Sequence, residues 1–176
     1  MAGNQRSGLP QPGCIRQVTV KAEMAWALLQ LNSGSVLVGY HLNKPPSGDS
    51  WNGWLGSKKQ AILSAGLARV VVFTEGGGPS KEQQAQLKAT IYPEWSQRGI
   101  QAKVGIQFVT TNPVFGSLIG ATVAVVRVGA RTLGFDRIIE FFGSLEGTLE
   151  FVGIPQREWE HLKEVRDYLR LELKSQ

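Results

Sequence analysis

The chain reads as an α/β protein: a mixed, largely parallel sheet of about five strands with packed helices, followed by a C-terminal amphipathic helix. Three observations predict this class. Short β-branched runs alternate with segments of helical periodicity, the pattern of strands joined by crossover helices. Residues 70–73, Val-Val-Val-Phe, are apolar without interruption, as in a strand buried on both faces and so interior to a sheet. After them the pattern breaks at Gly76, Gly77, Gly78 and Pro79, and Ser80 with Gln83 forms an S-x-x-Q capping box that opens a helix.

Composition bounds the rest. A chain of 176 residues with 42% hydrophobic content suffices for one compact domain and an appendage. The formal charge is +5, but Lys and Arg are scattered and no aromatic-plus-basic reader motif occurs, so nucleic acid is not an expected partner. Cys14 is the single cysteine, which excludes an internal disulfide and suits a reducing, cytoplasmic location. Residues 1–13 are polar and rich in Gly and Pro, without the apolar run of a signal peptide, and read as a flexible arm. No charge occurs between Lys103 and Arg127, but Thr110, Thr111, Asn112 and Pro113 divide that stretch into a strand and a helix, each too short to span a bilayer.

In chain order, residues 15–20 alternate apolar and polar side chains like an edge strand with one wet face. Residues 21–31 have helix-favouring Ala, Met and Leu, yet the turn residues at 32–35 allow a hairpin, and we assign a strand. Residues 36–40 form a clearer strand and 44–50 a Pro- and Gly-containing loop or helix lead-in. Trp51 and Trp54 precede a helix expected over residues 58–67, where they anchor it to the sheet rather than forming an aromatic recognition site. Leu87, Ile91 and Trp95 recur every four residues, the packing stripe of the helix that Ser80 opens. Residues 102–109 form a strand, and Asn112 with Pro113 caps a helix to about Val128, whose Gly116 and Gly120 permit close packing. A strand lies within residues 133–142, Ser144 caps a short helix, and Gly153 with Pro155 ends it. Residues 155–174 form the terminal helix, with Trp159, Leu162, Val165, Leu169 and Leu173 on one side. Glu158 and Glu160 in its first turns and Arg170 and Lys174 in its last complement the helix dipole. The expected division is an arm at 1–13, a domain at 14–154, and a helix at 155–176 docked on that domain.

This order of elements resembles the STAS and SpoIIAA-like family over residues 15–154. The segments that carry the resemblance are ARVVVFTEGGGPSKEQQ, VGIQFVTTNPVFGSLIGA and IIEFFGSLEGTLEFVGI, closest to a bacterial branch with a T-x-G-G-G-P turn after the central strand. The resemblance implies a signalling or regulatory domain that binds partners or ligands without catalysis. In the anti-sigma-factor antagonists of the family, the corresponding loop carries Asp-Ser-Ser-Gly or Asp-Thr-Ser-Gly with a phosphorylated serine. Here it reads Thr-Glu-Gly-Gly-Gly-Pro-Ser, which leaves Ser80 as a candidate phosphoacceptor and also as a helix cap.

Two loops define the expected working edge, because loops leaving the carboxyl ends of parallel strands gather on one side. Thr74, Glu75, Gly76, Gly77, Gly78 and Ser80 come from one; Thr110, Thr111, Asn112 and Phe115 come from the other. Their backbone donors, small hydroxyls and one apolar anchor suit another protein's surface, and helix N-termini there could instead meet a small anionic or lipid ligand. The phosphate-loop lysine is missing, Glu75 is acidic, and no G-x-S-x-G elbow or carboxylate pair occurs. His41 and His161 lack neighbours at metal-ligand spacing. The expectation is a non-enzymatic interaction module without cofactor or metal, the alternative being a small-molecule, anion or lipid carrier using the same edge.

Overall fold

The computed structural model describes residues 10–109 and 138–176. Strands β1 (Ile15–Val20), β2 (Met24–Leu31), β3 (Gly34–His41), β4 (Arg69–Thr74), β5 (Lys103–Phe108) and β6 (Ile139–Phe142) form one sheet in sequence order. The described helices are α1 (Gly48–Ala65), α2 (Lys81–Gln97), α3 (Leu145–Val152) and α4 (Trp159–Lys174), the last preceded by a 3-10 turn at Gln156–Glu158. The first three strands pair antiparallel; β3 through β6 pair parallel. The chain is thus α/β, with six strands of mixed sheet among the described residues, where about five were expected.

Three strands precede the first helix because residues 24–31 bury side chains on both faces of the sheet. Met24 and Trp26 join the core on one face, and Ala25, Ala27 and Leu29 join the core on the other. That tertiary demand overrides local helix propensity. Leu31 pairs with Gly34 across a two-residue turn, which completes the hairpin. Strand β1 is an edge, and a register irregularity between Ile15 and Gln17 with the exposed Arg16 discourages further pairing.

Helix α1 begins ten residues before the expected position. Ser47 caps it, its side chain accepting from the amide of Ser50. Burial of Trp51 and Trp54 outweighs the two glycines between them and Lys58. Gly53 also has a packing role, since a Cβ there would lie 3.0 Å from the Trp26 ring.

The core has two halves, one on each face of the sheet. Helices α1 and α2 cover one face, where Trp54, Ile62, Leu87, Ile91 and Trp95 meet Leu37, Val70, Val72 and Val104. Helices α3 and α4 cover the other, where Leu149, Leu162, Val165 and Leu169 meet Val36, Val38, Val71 and Phe73. The terminal helix is therefore docked, with Tyr168 added to its expected stripe. Glu158 differs from expectation. Its carboxylate does not serve the helix dipole but accepts from the Ser33 amide at 3.0 Å and from the Ser33 hydroxyl, pinning α4 to the β2–β3 turn. Arg69 reaches the same turn, donating to the Ser33 carbonyl at 2.9 Å. Burial alone would raise the Glu158 carboxyl, but the Ser33 and Asn32 donors and Arg157 hold it below the usual carboxylate range. The expected helix from Asn112, with Gly116 and Gly120, lies outside the described residues.

Leu169→Ala removes a fully buried side chain from the α4 contact and should destabilise the protein by about 2–5 kcal/mol. The exposed Leu171→Ala should change stability by about 0.5 kcal/mol or less. Urea unfolding of the two variants checks the docking, and equal midpoints would contradict it.

Candidate functional site

At the carboxyl ends of the parallel strands, the loop after β4 rests on the loop after β3. The sequence requires this contact at one residue. A Cβ at Gly77 would lie 2.2 Å from the carbonyl oxygen of Leu42 and 2.3 Å from that of Lys44, distances that only glycine avoids. Thr74 braces the turn from beneath. Its buried Oγ1 donates to the Gly77 carbonyl at 2.7 Å and accepts from the Gly76 amide at 3.1 Å. Ser80 completes the predicted capping box: its amide donates to Gln83 Oε1 at 2.9 Å and its Oγ accepts from the Gln83 amide at 3.2 Å. The Gln83 side chain then donates to the Pro46 carbonyl at 2.9 Å, a second tie between the loops.

The two loops present Asn43, Lys44, Gly76, Gly78 and Ser80 to solvent. Thr74 is buried and its hydroxyl is committed inside the turn. Glu75 points away from the exposed rim, toward α4. Its Oε1 accepts from the Tyr40 hydroxyl at 2.9 Å and lies 3.6 Å from Arg170 Nε and 3.4 Å from Lys174 Nζ. Burial, reinforced by the hydrogen bond to Glu75, pushes the Tyr40 phenol well above its ordinary range, so it remains a donor. The sequence-predicted residues of the second loop, Thr110, Thr111, Asn112 and Phe115, lie outside the described residues.

The N-termini of α1 and α2 already hold internal acceptors. At α1, the Glu23 carboxylate accepts from Ser50 Oγ at 2.6 Å, Ser47 Oγ at 3.0 Å and the Ser47 amide at 3.3 Å. The Ser50 hydrogen bond and then those from Ser47 hold Glu23 below the usual carboxylate range. At α2, Ser80 Oγ donates to Glu82 Oε2 at 2.8 Å and similarly lowers that carboxyl. An external anion at either terminus would meet a resident carboxylate.

Beneath the edge lies a feature the sequence reading passed over. Lys58, on the buried stripe of α1, is 3% exposed, and its Nζ sits 4.6 Å from the centroid of the Trp54 ring. His41, at the end of β3, meets the same indole edge-on with centroids 6.2 Å apart. Burial pushes Lys58 down to about 7. Burial, with a smaller contribution from the Lys58 charge, pushes His41 down to about 4. The available signal was spacing: Lys58 follows Trp51 by seven residues and Trp54 by four, placing a charge on an apolar stripe. Among the described residues, no group of His, Cys, Asp and Glu is arranged to hold a metal ion. No described helix is long and apolar enough to cross a membrane. Comparison of the chain with protein-family models, with curated proteins and with solved structures found no match.

Gly77→Ala should destabilise the protein measurably, because backbone on both sides must move, whereas Gly78→Ala meets open space and should unfold at nearly the wild-type midpoint. Equal midpoints for the two would remove the case for a locked loop.

Lys58 yields a pH prediction. Its folded value, about 7, lies below its ordinary 10.5, so between these pH values the unfolded chain binds more protons. Stability should therefore rise with pH across that window, at a slope of up to about 1.4 kcal/mol per unit from this group. Lys58→Met should be more stable than wild type at pH 7 and should lose that part of the slope. Urea midpoints measured from pH 7 to 9.5 decide it; an unchanged slope in the variant would assign the effect elsewhere.

Proposed function

We propose that the chain is a non-enzymatic regulatory module that binds a partner protein on the rim formed by the β3–α1 and β4–α2 loops. The observation that carries this reading is the seating of Gly77 between the carbonyls of Leu42 and Lys44. It holds Asn43, Lys44, Gly76, Gly78 and Ser80 on one rim before any partner arrives, and a preorganised surface loses less conformational entropy on binding. Exposed amides, an amide side chain and a lysine offer the polar contacts of an interface rim. The resemblance to STAS and SpoIIAA-like domains supports the same class of function. In this reading Ser80 acts as cap and contact rather than as phosphoacceptor, since its hydroxyl faces Glu82 and the capped amide. The carrier alternative at this rim has less support, because Glu23 and the Ser80 capping box fill the N-termini of α1 and α2.

The test is capture of partners from the native lysate by immobilised wild type and charge variants. Gly78→Asp and Lys44→Glu alter the rim, and Lys163→Glu alters α4. Each variant is first shown to be folded by circular dichroism. The two rim variants should lose a partner at least tenfold while Lys163→Glu retains it. Loss only with Lys163→Glu would place recognition on the terminal helix.

A further inference from the structure

The bases under α1 lack a counter-charge. Among the described residues no carboxylate pairs with Lys58, whose polar environment is the face of Trp54. Nε2 of His41 is buried without a hydrogen-bond partner, and so is Nε1 of Trp51, two turns before Lys58 on the same helix. Lys58 and His41, each at least 96% buried, both pack against Trp54, at 4.6 Å from Nζ to the ring centroid and 6.2 Å between ring centroids. A buried ammonium without a partner is strongly disfavoured. Shedding the proton removes the charge but leaves the amine N–H groups without acceptors. A bound anion answers both demands, supplying acceptor lone pairs and the missing negative charge.

We propose that Lys58 and His41, against Trp54, form an internal site for a small monovalent anion, a halide or a formate-sized carboxylate. The near-complete burial of both bases calls for a small anion rather than a phosphate ester or nucleotide. The site is independent of the partner-binding rim, whose exposed residues it does not include. Occupancy stabilises the folded chain by mass action, because the unfolded chain has no such site.

Thermal unfolding at fixed pH and ionic strength tests the proposal, with sodium chloride or sodium formate replacing sodium gluconate, whose anion is too large. Wild type should show a saturable rise in Tm of a few degrees with chloride, formate or both, the arms separating halide from carboxylate. Lys58→Met and His41→Leu should lose the rise. Lys59→Met, which removes an equal charge from the exposed side of α1, should keep it. Bromide soaked into crystals should give an anomalous peak within 4 Å of Lys58 Nζ, roughly the contact distance of an ion pair. An identical response in all four proteins would mark a general salt effect. No response to either anion in wild type, or a chloride response without a bromide peak, would show that these groups hold no anion. Either result overturns the site.

Discussion

The order of the parallel strands is the constraint on which the rest of the structure depends. Strands β3 to β5 run parallel and consecutively, so the two right-handed crossovers that join them advance in one direction and place their helices on one face. Helices α1 and α2 obey this. The opposite face is equally apolar, with Val36, Val38, Val71 and Phe73, and no helix between β3 and β5 reaches it. Helices α3 and α4 must therefore cover it. The docked C-terminal helix is thus part of the fold, and its polar ties follow from that placement. Glu158 fastens one end to the β2–β3 turn, and Arg170 and Lys174 bring the other end beside Glu75.

The same geometry gives the loop after β4 two different sides. Glu75 is drawn toward α4 through Tyr40, Arg170 and Lys174, while Gly77 is pressed against the loop after β3. Gly76, between these attachments, and Gly78, just beyond them, stay exposed. A triple glycine is often read as a flexible, phosphate-cradling loop, but here one glycine permits a close backbone contact and the turn is braced by Thr74. The acidic residue is a structural link, which explains why a negative charge can stand in this loop without defining a ligand. Order at the rim and docking of the terminal helix are therefore physically connected.

The α1 side holds the opposite situation, in which polar groups are buried without comparable ties. Trp54 carries much of the contact between α1 and the sheet, and its ring reaches Gly39, where a Cβ would lie 2.9 Å away. So close an approach leaves Lys58 and His41 beside the indole rather than beside a carboxylate. The aromatic contact stabilises the core, while the adjoining bases make that region responsive to protons and anions.

The sequence by itself determined the elements whose signals are local. Val70–Val71–Val72–Phe73 specified a buried strand, Ser80 with Gln83 a helix start, and Leu87, Ile91 and Trp95 a packed face, since each depends on neighbours within a turn or two of chain. It also exposed the apolar stripe of α4. The sequence did not reveal the early start of α1, because its stabilising partners, Trp26 and Glu23, come from the preceding hairpin. Nor did it reveal the destinations of charged groups. Glu158 stands at its own helix start but bonds a turn 125 residues away, and Glu75 stands in the glycine loop but meets Tyr40 and the terminal helix. Gly77 looked like any loop glycine until the Leu42 and Lys44 carbonyls were placed against it. Local backbone preferences are written in adjacent residues, whereas the partner of a long polar side chain, or the backbone facing a glycine, is chosen by strand order and packing.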